Sequence, residues 1–330
     1  MRTSTLDFEQ HGYDHWCQIP RVGTATGVSM TTLNNKVYMV WRGTGSDETL
    51  YWSRLNSTDV CAGWEPQHHL PNSGTASSPA IMAYNGTMIM VWRGVRDDKG
   101  IYWSRYLGND NWSPQGNVPG VGTDSAPFPL LVARPGLAVY NGLLYMAWRG
   151  VGNDQNIYWT TFDGKRWQPN PVQHRLGDRG TFASPALGVF WEGAVAIGGK
   201  SLGQLIMVWP GIAGAGSADL CLYWSKFEPA AGNFGPQQHM ATDFHAVNQV
   251  ALQNVSIKPN RSELFMFRGG DDTFCQGPAL QHPPDMSLGA TLGAIDNWGP
   301  PLNPGINDGW SINGPFTAHL SGGPALTVGP

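Results

Sequence analysis

Short apolar runs recur along the chain, each stopping at Asn-Gly or a similar glycine-bearing turn. One stretch reads Ser78-Pro-Ala-Ile-Met-Ala-Tyr, then Asn85-Gly, then Thr87-Met-Ile-Met-Val-Trp-Arg-Gly94, then Ile101-Tyr-Trp-Ser104, then Asn111-Trp-Ser-Pro-Gln115. The run lengths and the turn residues between them predict four short strands joined as an antiparallel meander. Inside Leu143-Leu-Tyr-Met-Ala-Trp148 neither alternating face is polar. Such a strand is expected to be covered on both sides.

The same pattern returns. Tyr140-Asn-Gly-Leu-Leu-Tyr-Met-Ala-Trp-Arg-Gly150 precedes Ile157-Tyr-Trp-Thr160 and Trp167, while Val37-Tyr-Met-Val-Trp-Arg-Gly43 precedes Leu50-Tyr-Trp-Ser53 and Trp64. A fourth unit keeps Met207-Val-Trp-Pro-Gly211, Leu222-Tyr-Trp-Ser225 and Phe234. A fifth keeps Leu264-Phe-Met-Phe-Arg-Gly269 and Trp298 but loses the Tyr-Trp-Ser strand. Unit openings fall near Val28, Ser78, Pro135, Ser184, Asn248 and Asn313, and closing aromatics at Trp16, Trp64, Trp112, Trp167, Phe234 and Trp298. Both sets count to six. The reading is an all-β, six-bladed β-propeller of four-stranded blades, one domain over residues 1–330. Its sixth blade is expected to be shared between N- and C-terminal strands, about 1–25 with 309–330, which would remove the exposed edges of the array.

Composition fits many short strands and turns: 43 glycines, 25 prolines and 15 tryptophans, with only 13% charged residues. The net charge of −4, with no lysine/arginine cluster, gives no case for nucleic acid. No apolar run is long enough to span a membrane. Four cysteines (Cys17, Cys61, Cys221, Cys275) show no metal-ligand spacing and read as buried thiols or two disulfides. Of the three pairings, Cys17–Cys61 with Cys221–Cys275 is favoured because each pair falls in neighbouring repeats. Five sequons, at Asn56, Asn85, Asn111, Asn254 and Asn260, point with the even cysteine count to a secretory or extracellular location and N-linked glycans. No signal peptide is recognisable in the sequence.

Loops on one face of the ring are the default ligand surface. The second-to-third connections carry Arg42, Arg93, Arg149 and Arg268, each followed by an acidic residue, with Pro210 in the fourth unit. These arginines either brace the next blade or meet a ligand. The fourth-to-first connections offer Phe128, Phe182, Phe244, His245 and Trp310 as pocket candidates, though each also fits plain packing. There is no P-loop, no HExxH and no nucleophile-elbow motif, and neither a metal nor a cofactor is implied. Asp163-Gly-Lys-Arg-Trp167 resembles the Asp-box turn of sialidases without its spacing, and His68-His69 is expected to be solvated.

The units Asn-Gly-x-Leu-Tyr-Met-Ala-Trp-Arg-Gly and Ile-Tyr-Trp-Ser resemble the repeats of lectin-like fungal propellers across nearly the whole chain. That resemblance implies the architecture and two competing functions. One is sugar binding between blades, as in the fucose-binding fungal lectins. The other follows from a likeness to the glycosylated, cofactor-free fungal hetero-Diels–Alderases of tropolonic sesquiterpene biosynthesis. It implies a [4+2] cycloaddition between a quinone methide-like diene and a terpene alkene, driven by positioning and hydrogen bonding. On that reading Arg93, Arg149, Arg268, His245 and Trp310 donate to the substrate, and Phe128, Phe182, Phe244 and Arg42 line its site. Uneven decay of the repeats favours one bespoke site over many equal ones, and on that ground the enzyme is expected ahead of the lectin.

Overall fold

The computed structural model describes residues 2–4, 16–19, 22–56, 63–124, 133–168, 173–190, 203–214, 217–219, 221–239, 250–258, 261–268, 289–291 and 325–326. Among them four antiparallel four-stranded blades follow one another in a propeller. The first is built from Ser29–Leu33, Lys36–Arg42, Thr49–Leu55 and His68–Gly74. The second runs through Ala80–Tyr84, Thr87–Arg93 and Gly100–Gly108, and the third through Gly136–Tyr140, Leu143–Arg149 and Asn156–Phe162. Ala186–Phe190, Gln204–Pro210 and Leu222–Glu228 begin the fourth. The inner strands thus start close to the openings read from the sequence.

Tight turns set the register between inner and second strands. Asn85-Gly86 and Asn141-Gly142 take positive φ at both residues (48° and 71°, 48° and 76°), the geometry that lets a two-residue hairpin follow strand twist. The outer strands are interrupted. In the second blade Asn111–Trp112 and Gly116–Gly122 both pair with Gly100–Gly108, and Pro114 sits at the gap. Pro66 and Pro236 occupy the same gap in the first and fourth blades. Proline has no N–H for the ladder, so pairing stops and resumes past it.

The core lies between blades. Leu144, Met146 and Trp148 of one strand pack toward the second blade, while Tyr145 and Ala147 pack toward the fourth. The absence of a polar face in that strand is thereby explained. Hydroxyls cover the inner edges: Ser29 Oγ accepts from the Ile81 N–H (3.1 Å) and Thr31 Oγ1 from the Ala83 N–H (2.9 Å), each from one blade to the next.

Beyond the fourth blade, Val250–Lys258, Arg261–Arg268 and Gly289–Thr291 form a three-stranded sheet. The fifth unit therefore has a third strand, supplied by Gly289–Thr291 in place of the missing Tyr-Trp-Ser motif. Arg2–Ser4 pairs antiparallel with Trp16–Gln18, and Ala325–Leu326 pairs parallel with Ser29–Met30 of the first blade. Among the described residues no strand joins the N-terminal hairpin to the C-terminal segment, and Asn313 lies outside them. Among the described residues Cys221 has no disulfide partner, and burial, then Asp219, push its thiol pKa up. Its favoured partner Cys275, and Cys61, fall outside the described residues, as does the side chain of Cys17.

Candidate functional site

The repeated arginines end the second strands and turn into the connection that leads to the next blade. Arg42 Nε donates to Thr75 O (3.0 Å), Arg93 Nε to Thr123 O (3.3 Å) and Arg149 Nε to Thr181 O (3.1 Å). Arg149 also reaches the carbonyls of Asp124, Gly150 and Gly152. Burial lowers its guanidinium pKa, and the charges of Asp124 and Asp154 oppose that shift. Arg93 is buried, with Asp124 3.6 Å from its Nη2, while Lys99 pairs with the same carboxylate. Of the two roles open to these arginines, bracing describes the geometry of all three.

The acids that follow them are also committed. Asp47, Asp98, Asp154 and Asp219 each accept from a backbone N–H two residues on and from a tyrosine hydroxyl four residues on. Each carboxyl lies against a glycine (Gly43, Gly94, Gly150 or Gly211) whose missing Cβ makes room for it. The motif Gly-x3-Asp-x3-Tyr, stretched in the fourth blade, is a loop staple.

Phe182 is fully buried, and its N–H bonds Gly211 O. It is packing between the third and fourth blades. Phe128, Phe244, His245 and Trp310 lie outside the described residues, and of Arg268 only the backbone is described. Among the sequons, Asn56, Asn85 and Asn111 are exposed; Asn254 is in a strand and Asn260 is outside the described residues. Asp163 caps its own turn, accepting from the N–H groups of Lys165 and Arg166 (both 2.8 Å).

What the sequence reading did not single out is a cradle of aromatic rings that recurs between blades. The tryptophans of the first three Tyr-Trp-Ser/Thr strands point at the following blade, and each meets two rings there. Trp52 lies 6.1 Å from Tyr106 and 6.2 Å from Trp112. Trp103 lies 5.0 Å from Phe162 and 6.3 Å from Trp167, and Trp159 lies 5.7 Å from Phe227 and 5.6 Å from Phe234. The closing aromatics thus serve as walls of these clefts. Recurrence of one tryptophan at one strand position was the available signal.

A residue of the outer strand stands opposite each tryptophan in the register: His68, Gly116, His174 and Gln238 for Trp52, Trp103, Trp159 and Trp224. His68 stacks on Trp52 at 4.4 Å as a lid on that ring while its side chain stays 37% exposed, and His69 is exposed. His174 stacks on Trp159 at 4.0 Å, and burial lowers its pKa. Gly116 leaves Trp103 without such a lid. Trp52 and Trp159 are 1% and 3% exposed, whereas Trp103 is only half-buried. Among the described residues no group of three or more His, Cys, Asp or Glu is arranged to hold a metal.

No family model matches the sequence, and no curated protein does. Solved structures do. The chain resembles AofleA from Arthrobotrys oligospora at 9% identity, covering 85% of this chain and 74% of that one, with a TM-score of 0.54. It also resembles Aleuria aurantia lectin AAL, solved as a mutant in complex with Fucalpha1-6GlcNAc, at 10% identity. That likeness covers 92% of this chain and 85% of the lectin, again with a TM-score of 0.54. At such identities the likeness establishes the lectin-like propeller fold and nothing finer.

Proposed function

We propose that this chain is a six-bladed carbohydrate-binding propeller whose ligand lies in a cleft between neighbouring blades. The observation that carries this reading is the aromatic cradle repeated at three successive blade interfaces. Sugar rings have apolar C–H faces that pack on aromatic rings, and hydroxyls that need a polar rim. Fold likeness to a lectin in complex with a fucosylated disaccharide supports it, and terminal fucose is the first sugar to test.

The sixth blade, from about 1–25 and 309–330, is part of the proposal; the antiparallel pairing of Arg2–Ser4 with Trp16–Gln18 is compatible with two of its four strands. Secretion, N-glycans at the sequons and the two disulfides belong to it too, and exposure of Asn56, Asn85 and Asn111 is compatible with modification.

No observation favours the cycloaddition reading. Arg93 and Arg149 bond backbone carbonyls, and Phe182 is core. The test is a glycan array covering neutral and acidic sugars, followed by tryptophan-fluorescence titration of the hits. Saturable binding that a free sugar competes away is expected. Silence on every glycan class overturns the reading.

A further inference from the structure

The three clefts share a frame but differ in charge. In the first, Arg54 stands two residues after Trp52 on the same strand face. Its Nε and Nη2 donate to Glu65 Oε1 at 3.1 and 2.7 Å, and its Nη1 to Asp110 Oδ1 at 3.2 Å. Its charge is neutralised, and His68 covers the indole beside it. In the third cleft the corresponding residue is Thr161, and His174 covers Trp159.

The second cleft keeps the cation and loses both the lid and the counter-charge. Arg105 follows Trp103 on the same face, and both lie against Phe162, at 5.8 Å from Cζ and 5.0 Å from the indole. Ser113 occupies the place of Glu65. The equivalence is fixed by a shared bond, Ser53 Oγ to Glu65 O (2.8 Å) in one blade and Ser104 Oγ to Ser113 O (2.7 Å) in the next. Among the described residues Arg105 has no ion pair. Its Nη2 donates to Gly164 O, while its buried Nε has no hydrogen-bond partner. The neighbouring Asp163 carboxylate is turned into its own loop, toward the N–H groups of Lys165 and Arg166 and the Gln168 amide.

A half-buried indole with no side chain stacked over it, beside a guanidinium with no ion pair among the described residues, matches a ring with an apolar face and a carboxylate. We propose that the cleft between the second and third blades binds a carboxylate-bearing pyranose, a terminal sialic or uronic acid, with Trp103 under the ring and Arg105 at the carboxylate. This rests on the carbohydrate-binding reading and adds the ligand's charge and the cleft, among those described, that takes it.

The experiment titrates the full chain with 3′-sialyllactose, a glucuronate-terminated disaccharide and neutral lactose, at low salt and in about 0.5 M NaCl, where screening is strong. Tryptophan fluorescence reports binding and thermal melting reports folding. One or both acidic sugars are expected to bind at least about tenfold tighter than lactose, a gap that salt narrows. Arg105→Gln should erase that gap. Ser113→Glu, which recreates the carboxylate of the first cleft, should do the same while leaving Arg105 in place. Trp103→Ala should weaken binding of every sugar. If a variant fails to fold, the remaining ones decide. Neutral sugars binding as well as acidic ones, or Arg105→Gln and Ser113→Glu leaving the preference intact, overturns the acidic-sugar assignment alone. No binding of any sugar overturns the carbohydrate reading with it.

Discussion

Replacing Asp154 tests whether the repeated loop staple holds the blades in shape. Its carboxylate accepts from the Asn156 N–H (3.0 Å), the Asn156 side-chain amide and the Tyr158 hydroxyl (2.7 Å). Burial alone would raise its pKa; the bonds from Asn156 and Tyr158 outweigh that and hold it below the ordinary 3.8. Bonds to a charged acceptor contribute about 1.5 kcal/mol or more each, but this carboxylate is half-exposed and water replaces part of the loss. Asp154→Ala should therefore cost about 2 kcal/mol, which in a chain of this size lowers the melting midpoint by about 3 °C. Asp154→Asn keeps an acceptor for the backbone N–H and should cost about half as much. A carboxyl whose folded pKa is lowered adds stability that is complete above its unfolded value and fades as pH falls through the folded one. The gap between wild type and Asp154→Asn should thus be widest near neutrality and shrink as pH falls below the ordinary 3.8. Melting curves by circular dichroism from neutral pH to pH 3 measure this. A gap independent of pH, or no loss for Asp154→Ala, would refute the staple.

Three further outcomes follow from the same frame. Gly94→Ala puts a Cβ into the Asp98 carboxyl and 2.7 Å from its Cβ, so the loop must open; a loss of about 1–3 kcal/mol in urea unfolding is expected, against near-neutrality if the glycine is incidental. Arg149→Lys cannot reproduce a fork reaching the carbonyls of Thr181, Asp124, Gly150 and Gly152, and should cost about 2–3 kcal/mol by the same assay. His174 has a folded pKa below 6.5, so the unfolded chain takes its proton first and stability declines as pH falls from about 6.5 through the folded value. His174→Gln should flatten that decline, and an unchanged pH profile would contradict the burial of the ring on Trp159.

Much of the fold was legible because each repeat spells out its own local structure. Asn85-Gly86 and Asn141-Gly142 name the turns, the two-sided apolar run Leu143–Trp148 names a covered strand, and Pro114 marks the break in the outer strand. The arginines were legible only as a pair of alternatives, since sequence shows a cation near an acid but not the carbonyl that the cation meets. The site was missed for a related reason. Trp52, Trp103 and Trp159 look identical along the chain, and what separates them is the residue opposite in the register, thirteen to sixteen positions away across a broken strand. Aligned on the closing aromatic, His68, Gly116 and Gln238 each fall four positions on and His174 seven, but nothing in the spacing says that this position faces the tryptophan. The stacking of His68 on Trp52 was illegible on the same account, because a histidine in a short polar run gives no hint of the indole beneath it.

Repetition and specialisation are therefore carried by different residues of one blade. The tryptophan and the two rings of the next blade recur because they close the interface; altering them would loosen the core along with any site. The lid and the carboxylate partner are free to vary, since His68 to Gly116 exposes an indole and Glu65 to Ser113 uncovers a guanidinium without disturbing the strand ladder. A multivalent binder gains avidity only from clefts that remain equivalent. These are not: the first is lidded and neutralised, the second unlidded and cationic, the third lidded with Thr161 in the arginine's place. The asymmetry that first favoured an enzyme over a lectin is equally well met by a sugar-binding ring in which one cleft has been set apart. Its mark should be a preference for an acidic sugar that Arg105→Gln removes.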